Sequence, residues 1–308
     1  MDTPAAAIIK TLLRVNRHGW AKGSISEQRR RQERRARPIP VDRTVSFDPF
    51  SIGALNAAWI AGPVTNAGTH RNAPVVLYLH GGAYALGSLA THRAFLGRFA
   101  TATRTRVLAL EYRLAPEHPF PAALEDAVAA YRWLVATGVG PTEIVIAGDS
   151  AGGGLALATI LLLRDAGEPL PVCAVCLSPW LDLTLSCASI DSNAKSDPIL
   201  GREVLERYAR LYADGNDAHA PLISPLFADL SGLPPILLHV GSDEILLDEA
   251  VALADTARAA GLECELEVWP GMFHVFQMIP FLRQSGAALG KAARFIKRHA
   301  SGGEDTRR

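Results

Sequence analysis

From residue 75 onward, short apolar runs alternate with longer alanine-rich segments that have helical spacing. The apolar runs are Val75–His80, Val107–Tyr112, Glu143–Gly148, Val172–Ser178, Pro235–Val240 and Glu263–Trp269. The helical segments are Thr91–Ala102, Pro121–Thr137, Gly152–Ala166, Leu246–Ala260 and Ser285–His299. This alternation indicates βαβ crossovers and a mainly parallel sheet. Because the strands are apolar throughout, the pattern predicts an α/β fold with helices on both faces of the sheet.

Two regions interrupt the alternation. The first forty residues read as one or two amphipathic helices, and an insertion between two strands contains a predicted helix from Arg202 to Tyr212. Neither region has enough apolar residues for its own core, so we expect both to cover a single large domain. The predicted organisation is a helical lid segment at 1–45, a core at 46–180 and 223–300, a lid insertion at 181–222 and a disordered tail at 301–308.

Charge and cysteine content narrow the classes of function. The 308 residues carry 31 basic and 31 acidic side chains, although residues 1–40 alone are strongly basic, with an arginine run from Arg29 to Arg37. A zero net charge and a run without interleaved aromatic residues favour a solvated lid helix over a nucleic-acid or membrane patch. We therefore expect no nucleic-acid partner and no stable membrane association.

Cys173 and Cys176 form a C-x-x-C pattern inside an apolar run rich in β-formers. Positions three apart in a strand point to opposite faces, so we interpret both thiols as buried hydrophobes rather than a metal or redox pair. Few cysteines, and no apparent export signal or membrane span, predict a cytoplasmic protein. No zinc, dinucleotide or phosphate-binding motif is found, so we expect neither metal nor cofactor.

The pentapeptide Gly148-Asp149-Ser150-Ala151-Gly152 has the form G-x-S-x-G and lies between a predicted buried strand and a predicted helix. Small residues allow a sharp strand-to-helix turn that lifts the Ser150 hydroxyl to the carboxyl edge of the sheet. Backbone N–H groups at the start of the helix would stabilise negative charge beside it. We therefore predict that Ser150 is a nucleophile; the alternative is an ordinary glycine-rich turn.

A serine nucleophile needs a general base and an orienting carboxylate. His239 lies inside an apolar strand and is interpreted as structural, whereas His274 follows the last strand and is predicted to be the base. For the acid, Asp243 is the first carboxylate after its strand and is favoured over Glu244. The alternative roles are a helix N-cap for Asp243 and a solvated first-turn charge for Glu244.

The segment His80-Gly81-Gly82-Ala83-Tyr84 follows a predicted strand. Consecutive glycines let the backbone approach a substrate and turn N–H groups toward it, as in oxyanion loops of the H-G-G-G type. We expect Ala83 and Tyr84 to contact the substrate. Trp180 either lines the acyl or alcohol pocket or fills core.

These motifs together resemble the bacterial hormone-sensitive-lipase-like carboxylesterases of the α/β-hydrolase superfamily. The matching segments are HGGAY (80–84), EYRLAPEHPFPAALED (111–126), GDSAGG (148–153), SPW (178–180), GSDEILLD (241–248) and MFH (272–274). The resemblance implies an eight-stranded, mainly parallel sheet with a helical lid. It implies a triad of Ser150, Asp243 and His274, and an oxyanion hole formed by the N–H groups of Gly81, Gly82 and Ala151. Many members have glycine where this chain has Ala83, and alanine fits there if its backbone angles are negative.

The resemblance further implies a serine carboxylesterase that acts on short-to-medium acyl esters of small molecules, without metal or cofactor. It also implies pairing of two chains through the last strand, residues 263–269. Two alternatives remain: an N-acyl deacetylase or amidase with the same triad, and a non-catalytic small-molecule receptor on the same fold.

Overall fold

All six apolar runs become strands of one sheet in the computed structural model, which describes residues 4–20, 22–66 and 73–300. A hairpin that the periodicity did not locate, β1 with β2, extends the sheet to eight strands in the order β1-β2-β4-β3-β5-β6-β7-β8. The strands are β1 Ser46–Ile52, β2 Leu55–Ala61, β3 Val75–Leu79, β4 Arg106–Leu110, β5 Ile144–Asp149, β6 Cys173–Leu177, β7 Ile236–Gly241 and β8 Cys264–Trp269. Because β2 is antiparallel to both neighbours and all other pairs are parallel, the predicted mainly parallel sheet is confirmed.

Helices connect the strands and cover both faces. They are α1 Pro4–Trp20, α2 Ile25–Ala36, α3 Pro63–Asn66, α4 Leu89–Thr103, α5 Ala122–Ala136, α6 Ala151–Asp165, α7 Ser189–Ser192, α8 Arg202–Ala213, α9 Leu247–Ala259 and α10 Arg283–Ala300. Short 3₁₀ turns occupy Pro141–Glu143, Pro225–Phe227 and Phe276–Met278. One face of the sheet packs with α5, α6 and α9, and the other packs with α4 and α10. The predicted tail at 301–308 lies outside the described residues.

The strands divide their side chains between two apolar clusters. In β3, Leu77 belongs to one cluster and Val76 to the other, although both are completely buried. The two cysteines of β6 follow the same rule, because Cys173 and Cys176 are free and lie on opposite faces of the sheet. A strand alternates its faces every residue, so positions three apart cannot share a ligand. The prediction that these thiols are buried hydrophobes agrees with this placement.

The first helix covers the carboxyl edge of the sheet beyond β7 and β8. Its Ala6 and Ile9 are buried in a small apolar cluster with Met272 and Phe273, which belong to the loop after β8. The helix therefore lies directly on the segment that carries His274.

The second helix covers the same edge beyond β3 and β4. Arg29 donates from Nε to the carbonyl oxygen of Ala85 and from Nη2 to that of Ala115. Gln28 is buried and accepts a 2.5 Å hydrogen bond from the hydroxyl of Tyr208 in α8. Helix α2 and the 181–222 segment are thus joined above one edge of the sheet.

His239 lies in β7 with no exposed surface, as the apolar context of its strand predicts. Its ring nitrogens contact no hydrogen-bonding group of the described residues. Burial, with the positive charge of Lys291, lowers the pKa of His239 to about 3. The ring is therefore a neutral member of the core.

Folding stability is predicted to depend on this buried ring. In the unfolded chain, His239 is protonated below the ordinary imidazole pKa of about 6.5. In the folded chain it stays neutral down to about pH 3. The free energy of unfolding should therefore fall with decreasing pH across this window, by roughly 1 kcal/mol per pH unit from this residue. Urea unfolding at pH 7 and pH 5 should show a shallower loss for His239→Leu than for the unsubstituted chain. Equal losses would contradict the assignment.

Candidate active site

Ser150 stands between β5 and α6, in a backbone conformation that few residues adopt. Its φ is 53° and its ψ is −124°. The turn closes tightly because a Cβ on Gly148 would overlap the carbonyl oxygen of Gly152, and a Cβ on Gly152 would overlap that of Leu79. Ser150 remains partly exposed at the carboxyl edge of the sheet. The predicted sharp turn is therefore present, and it presents the hydroxyl group to the site.

His274 lies in the loop that follows β8, and its side chain is almost fully buried. Its Nε2 atom lies 2.9 Å from Ser150 Oγ, although the two residues are 124 positions apart in the chain. The structure thus brings together the two residues that the sequence predicted as nucleophile and base.

The acidic partner of His274 is Glu244, and the prediction of Asp243 is wrong on this point. Glu244 Oε2 lies 2.8 Å from His274 Nδ1, and the residue has no exposed surface. Asp243 instead forms an ion pair with Lys10 of α1, in which Lys10 Nζ lies 2.6 Å from Asp243 Oδ2. The backbone turns between Gly241 and Glu244, where Glu244 N donates to Gly241 O, so neighbouring side chains leave in different directions. Being the first carboxylate after the strand therefore did not make Asp243 the one that points inward.

One sequence feature could have identified Glu244. It begins the apolar run EILL, in which Ile245 and Leu246 are completely buried, and a carboxylate at the start of such a run is carried inward with it. Because a carboxylate only accepts hydrogen bonds, His274 Nδ1 carries the hydrogen and Nε2 is free to accept the serine proton.

Ser178, at the carboxyl end of β6, is a site residue that sequence reasoning missed. Its hydroxyl donates to Glu244 Oε1 at 2.7 Å and accepts from Val275 N at 3.1 Å. Gly241 N also donates to Glu244 Oε1, at 2.5 Å. One buried hydroxyl therefore joins the acid to the residue after the base. Its only sequence signal was its place at the strand end, in the SPW segment.

The charge environment favours protonation of His274. Burial opposes the charged imidazolium, but the hydrogen bond and negative charge of Glu244, with smaller contributions from Asp197 and Asp149, outweigh it and raise the pKa of His274. Asp197 belongs to the 181–222 segment and accepts a 3.0 Å hydrogen bond from Ile245 N. The inserted segment thus contacts the same loop that carries the acid.

The oxyanion loop departs from the prediction at Gly81. The N–H of Gly81 donates to the buried Asp149 carboxylate at 3.0 Å, so it does not point into the site. Tyr78 donates to the same carboxylate oxygen at 2.8 Å. Gly82 and Ala83 are partly exposed, and no hydrogen bond among the described residues uses their N–H groups. The N–H of Ala151 begins α6 and therefore has no partner within the helix.

His92 completes the support of Asp149. Its Nε2 atom lies 3.4 Å from the carboxylate. Burial opposes ionisation of Asp149, but the charge and hydrogen bond of His92, with the hydrogen bonds from Tyr78 and Gly81, lower the pKa of the carboxyl group. The residue before the nucleophile therefore holds a buried negative charge that fixes the start of the oxyanion loop.

The condition under which alanine was expected to fit at position 83, negative backbone angles, is not met, because the φ of Ala83 is 53°. Left-handed backbone at a non-glycine residue costs about 1 kcal/mol or more. This conformation is the physical reason for a preference for glycine at the position, and the chain accepts the cost.

Two of the three predicted substrate contacts are not accessible. Trp180 is completely buried and donates from Nε1 to the carbonyl oxygen of Asp182 at 3.0 Å, so of its two predicted roles it fills core. Tyr84 is 1% exposed and stacks on Tyr212 of α8 at 3.7 Å between ring centroids. Ala83 remains partly exposed next to Gly82. The aromatic rings form a wall beside the site instead of an open surface.

Among the described residues, no group of three histidine, cysteine, aspartate or glutamate side chains is arranged to hold a metal ion. Within the same residues, none of the helices combines the length and the apolar character needed to cross a bilayer.

Comparison with known proteins shows the family. A sequence profile described as alpha/beta hydrolase fold matches residues 76–278. An acetyl-hydrolase of Streptomyces hygroscopicus is 41% identical over 96% of this chain and 97% of its own length. Carboxylesterase NlhH of Mycobacterium tuberculosis is 35% identical over 83% of this chain and 82% of its own.

A solved esterase of the bacterial hormone-sensitive lipase family superposes with a TM-score of 0.91 and 42% identity, covering 97% of this chain and 99% of the other. The esterase EstE5 superposes with a TM-score of 0.92 and 38% identity, covering 98% of this chain and 100% of EstE5. The chain therefore belongs to the hormone-sensitive-lipase-like carboxylesterases of the α/β-hydrolase fold, enzymes that hydrolyse ester bonds.

Proposed function

We propose that this chain is a serine carboxylesterase that works through an acyl-enzyme, with Ser150, His274 and Glu244 as its triad. The observation that carries the proposal is the continuous line of hydrogen bonds from Ser150 Oγ through the imidazole to Glu244. Ser150 attacks the ester carbonyl while His274 Nε2 takes its proton, and Glu244 holds the ring tautomer and stabilises the imidazolium. His274 then protonates the leaving alcohol, and a water activated by the same ring releases the acid.

The backbone N–H groups of Gly82, Ala83 and Ala151 form the oxyanion hole in this proposal. Each lies beside Ser150 in sequence or at the facing edge of β3, and each lacks a protein acceptor among the described residues. Gly81 has a different role, because its N–H is committed to Asp149. The left-handed backbone of Ala83 turns consecutive N–H groups of the loop toward one point, as an oxyanion requires.

We further infer that residues 1–45 and the 181–222 insertion act as one lid over this site, and that the acyl group is short. The stacked rings of Tyr84 and Tyr212 and the buried indole of Trp180 fill space next to the nucleophile, since Trp180 N donates to Ser150 O. The similarity to an acetyl-hydrolase supports the same substrate class.

Hydrolysis of p-nitrophenyl esters of increasing acyl length tests the proposal. Activity should be highest at short chains, and Ser150→Ala should lower kcat by about 10⁶, because the triad acts as a unit. Activity that survives this substitution would reject Ser150 as the nucleophile. Comparing matched ester and anilide substrates separates the esterase from the amidase alternative, and a chain that binds esters without turnover would support the receptor alternative.

The choice of acid is tested by a matched pair of neighbouring variants. Glu244→Gln should lower kcat by about 10⁴, because the amide cannot hold the productive tautomer or stabilise the imidazolium. Asp243→Asn should lower it on the order of tenfold at most, since only the ion pair with Lys10 is lost. The reverse order of effects would restore Asp243 as the acid.

The pH dependence of kcat/KM should report His274. The base must be neutral to accept the serine proton, so activity should rise as pH passes the pKa of His274. Because the surrounding carboxylates raise this pKa, the midpoint should lie above the ordinary imidazole value of about 6.5. Asp243→Asn should leave the midpoint in place. A flat profile, or a midpoint below the ordinary value, would contradict the assignment of the base.

We also infer that two copies pair through β8. This strand is at the edge of the sheet, where the described residues give it a hydrogen-bonded neighbour on one side only, and Val268 on it is 40% exposed. Light scattering behind size exclusion should show a dimer for the unsubstituted chain. A monomer is expected for Val268→Lys, because a charge on an edge strand opposes pairing. A monomeric unsubstituted chain would reject this inference.

We propose a cytoplasmic location because the cysteines are unpaired. All four cysteines are free, and burial raises the pKa of Cys173 to about 12. Unpaired cysteines of this kind are typical of proteins from a reducing compartment.

A further inference from the structure

Helix α1 carries apolar side chains on two faces, one buried against the sheet edge and one exposed. The inner face holds Ala6 and Ile9, which are buried against the loop that carries His274. The outer face holds Ile8, Leu12 and Val15, which are 63%, 61% and 79% exposed. Spacings of four and three residues place these three side chains in one stripe along the helix. Large apolar side chains exposed in a row mark a surface that meets another apolar phase.

The N-terminal segment that contains the stripe is basic. Residues 1–40 carry ten lysines and arginines against three acidic residues, whereas the remainder of the chain is net acidic. Arg14 lies on α1 and is exposed, and Arg30, Arg34 and Arg37 are exposed on and just after α2. The two helices cover the same edge of the sheet, because α1 contacts the loops after β7 and β8 and α2 contacts those after β3 and β4.

The combination of an apolar stripe and positive charge selects among possible partners. A nucleic acid would bind the arginines, but it has no apolar surface against which the stripe could pack. A second copy of this chain that met α1 across a two-fold axis would bring two strongly basic segments together. An anionic lipid surface satisfies both features, because acyl chains receive the stripe and headgroups receive the arginines.

We propose that α1 docks this protein reversibly on anionic lipid surfaces, with Ile8, Leu12 and Val15 inserted among the acyl chains. Such docking would turn the sheet edge that carries Ser150 toward the lipid. Esters dissolved in the lipid layer would then lie near the site. The interaction is a surface one, because α1 has only 17 residues and its inner face stays packed against the chain, so the helix lies in the interface plane.

Sedimentation with lipid vesicles tests the proposal on the full chain. Vesicles of phosphatidylcholine alone should bind weakly, and vesicles of equal parts phosphatidylcholine and phosphatidylglycerol should bind more strongly, with a loss at high salt. Val15→Glu should reduce binding to the anionic vesicles at least about tenfold, because a hydrated carboxylate replaces the valine that inserts into the lipid and is repelled by the anionic surface. Removing one exposed arginine, as in Arg34→Ala, should reduce it about fivefold.

Val64→Glu is the matched control. Val64 is 46% exposed on α3, which follows β2 at the opposite edge of the sheet, so binding should equal that of the unsubstituted chain. Ser150→Ala should also bind equally, which separates docking from catalysis. Unchanged hydrolysis of a water-soluble ester by Val15→Glu would show that its lid is intact.

Three results would overturn the proposal. The first is the absence of binding to anionic vesicles, and the second is equal binding by Val15→Glu and Val64→Glu. The third is a dimer that Val15→Glu dissociates in the absence of lipid, which would identify a second copy as the partner of the stripe.

Discussion

Glu244 carries a carboxylate with no exposed surface, and a buried charge is tolerated only when hydrogen bonds replace the water it has lost. Three groups supply them: the hydroxyl of Ser178, the N–H of Gly241 and the ring of His274. They come from the ends of three neighbouring strands, β6 to β8. Leaving such a charge without its partners costs about 3–5 kcal/mol, so the carboxylate holds the three loops in register. The position of His274 follows from this requirement.

A second buried carboxylate organises the other half of the site. Asp149 stands directly before Ser150 and accepts hydrogen bonds from Tyr78 of β3 and from Gly81 of the loop after β3. The strand that delivers Ser150 is thereby tied to the loop that faces it. Gly148 and Gly152 allow the close approach, since any side chain there would meet the backbone of the neighbouring turn. The geometry of the proposed catalytic site is thus fixed by two buried carboxylates, Glu244 and Asp149, and by two glycines.

The segments above the sheet edge are joined to this framework by individual contacts. Lys10 pairs with Asp243, the residue beside the acid, and Asp197 accepts from Ile245 on its other side. The loop that carries Glu244 is therefore held from above by α1 and by the inserted segment. Movement of α1 or of the inserted segment would therefore displace the loop that carries Glu244.

The sequence by itself determined the elements and singled out Ser150 and His274, which the structure brings within hydrogen-bonding distance. Periodicity located six strands and their helices, because buried strands and amphipathic helices differ in local pattern. It did not locate the β1–β2 hairpin, whose half-exposed first strand lacks a continuous apolar run. Ser150 and His274 were identifiable because a motif and a strand end are local features.

Only the tertiary structure decided which carboxylate serves His274, which N–H groups remain available and which aromatic rings are accessible. Asp243 and Glu244 are adjacent in sequence, and their directions depend on a turn closed by Gly241 and on partners more than 20 residues away, at His274 and Lys10. For the same reason, the N–H of Gly81 binds Asp149 instead of an oxyanion, and Trp180 is buried in the core instead of lining the pocket. A local pattern can give a residue's element, whereas its partners depend on long-range contacts that form only when the sheet assembles.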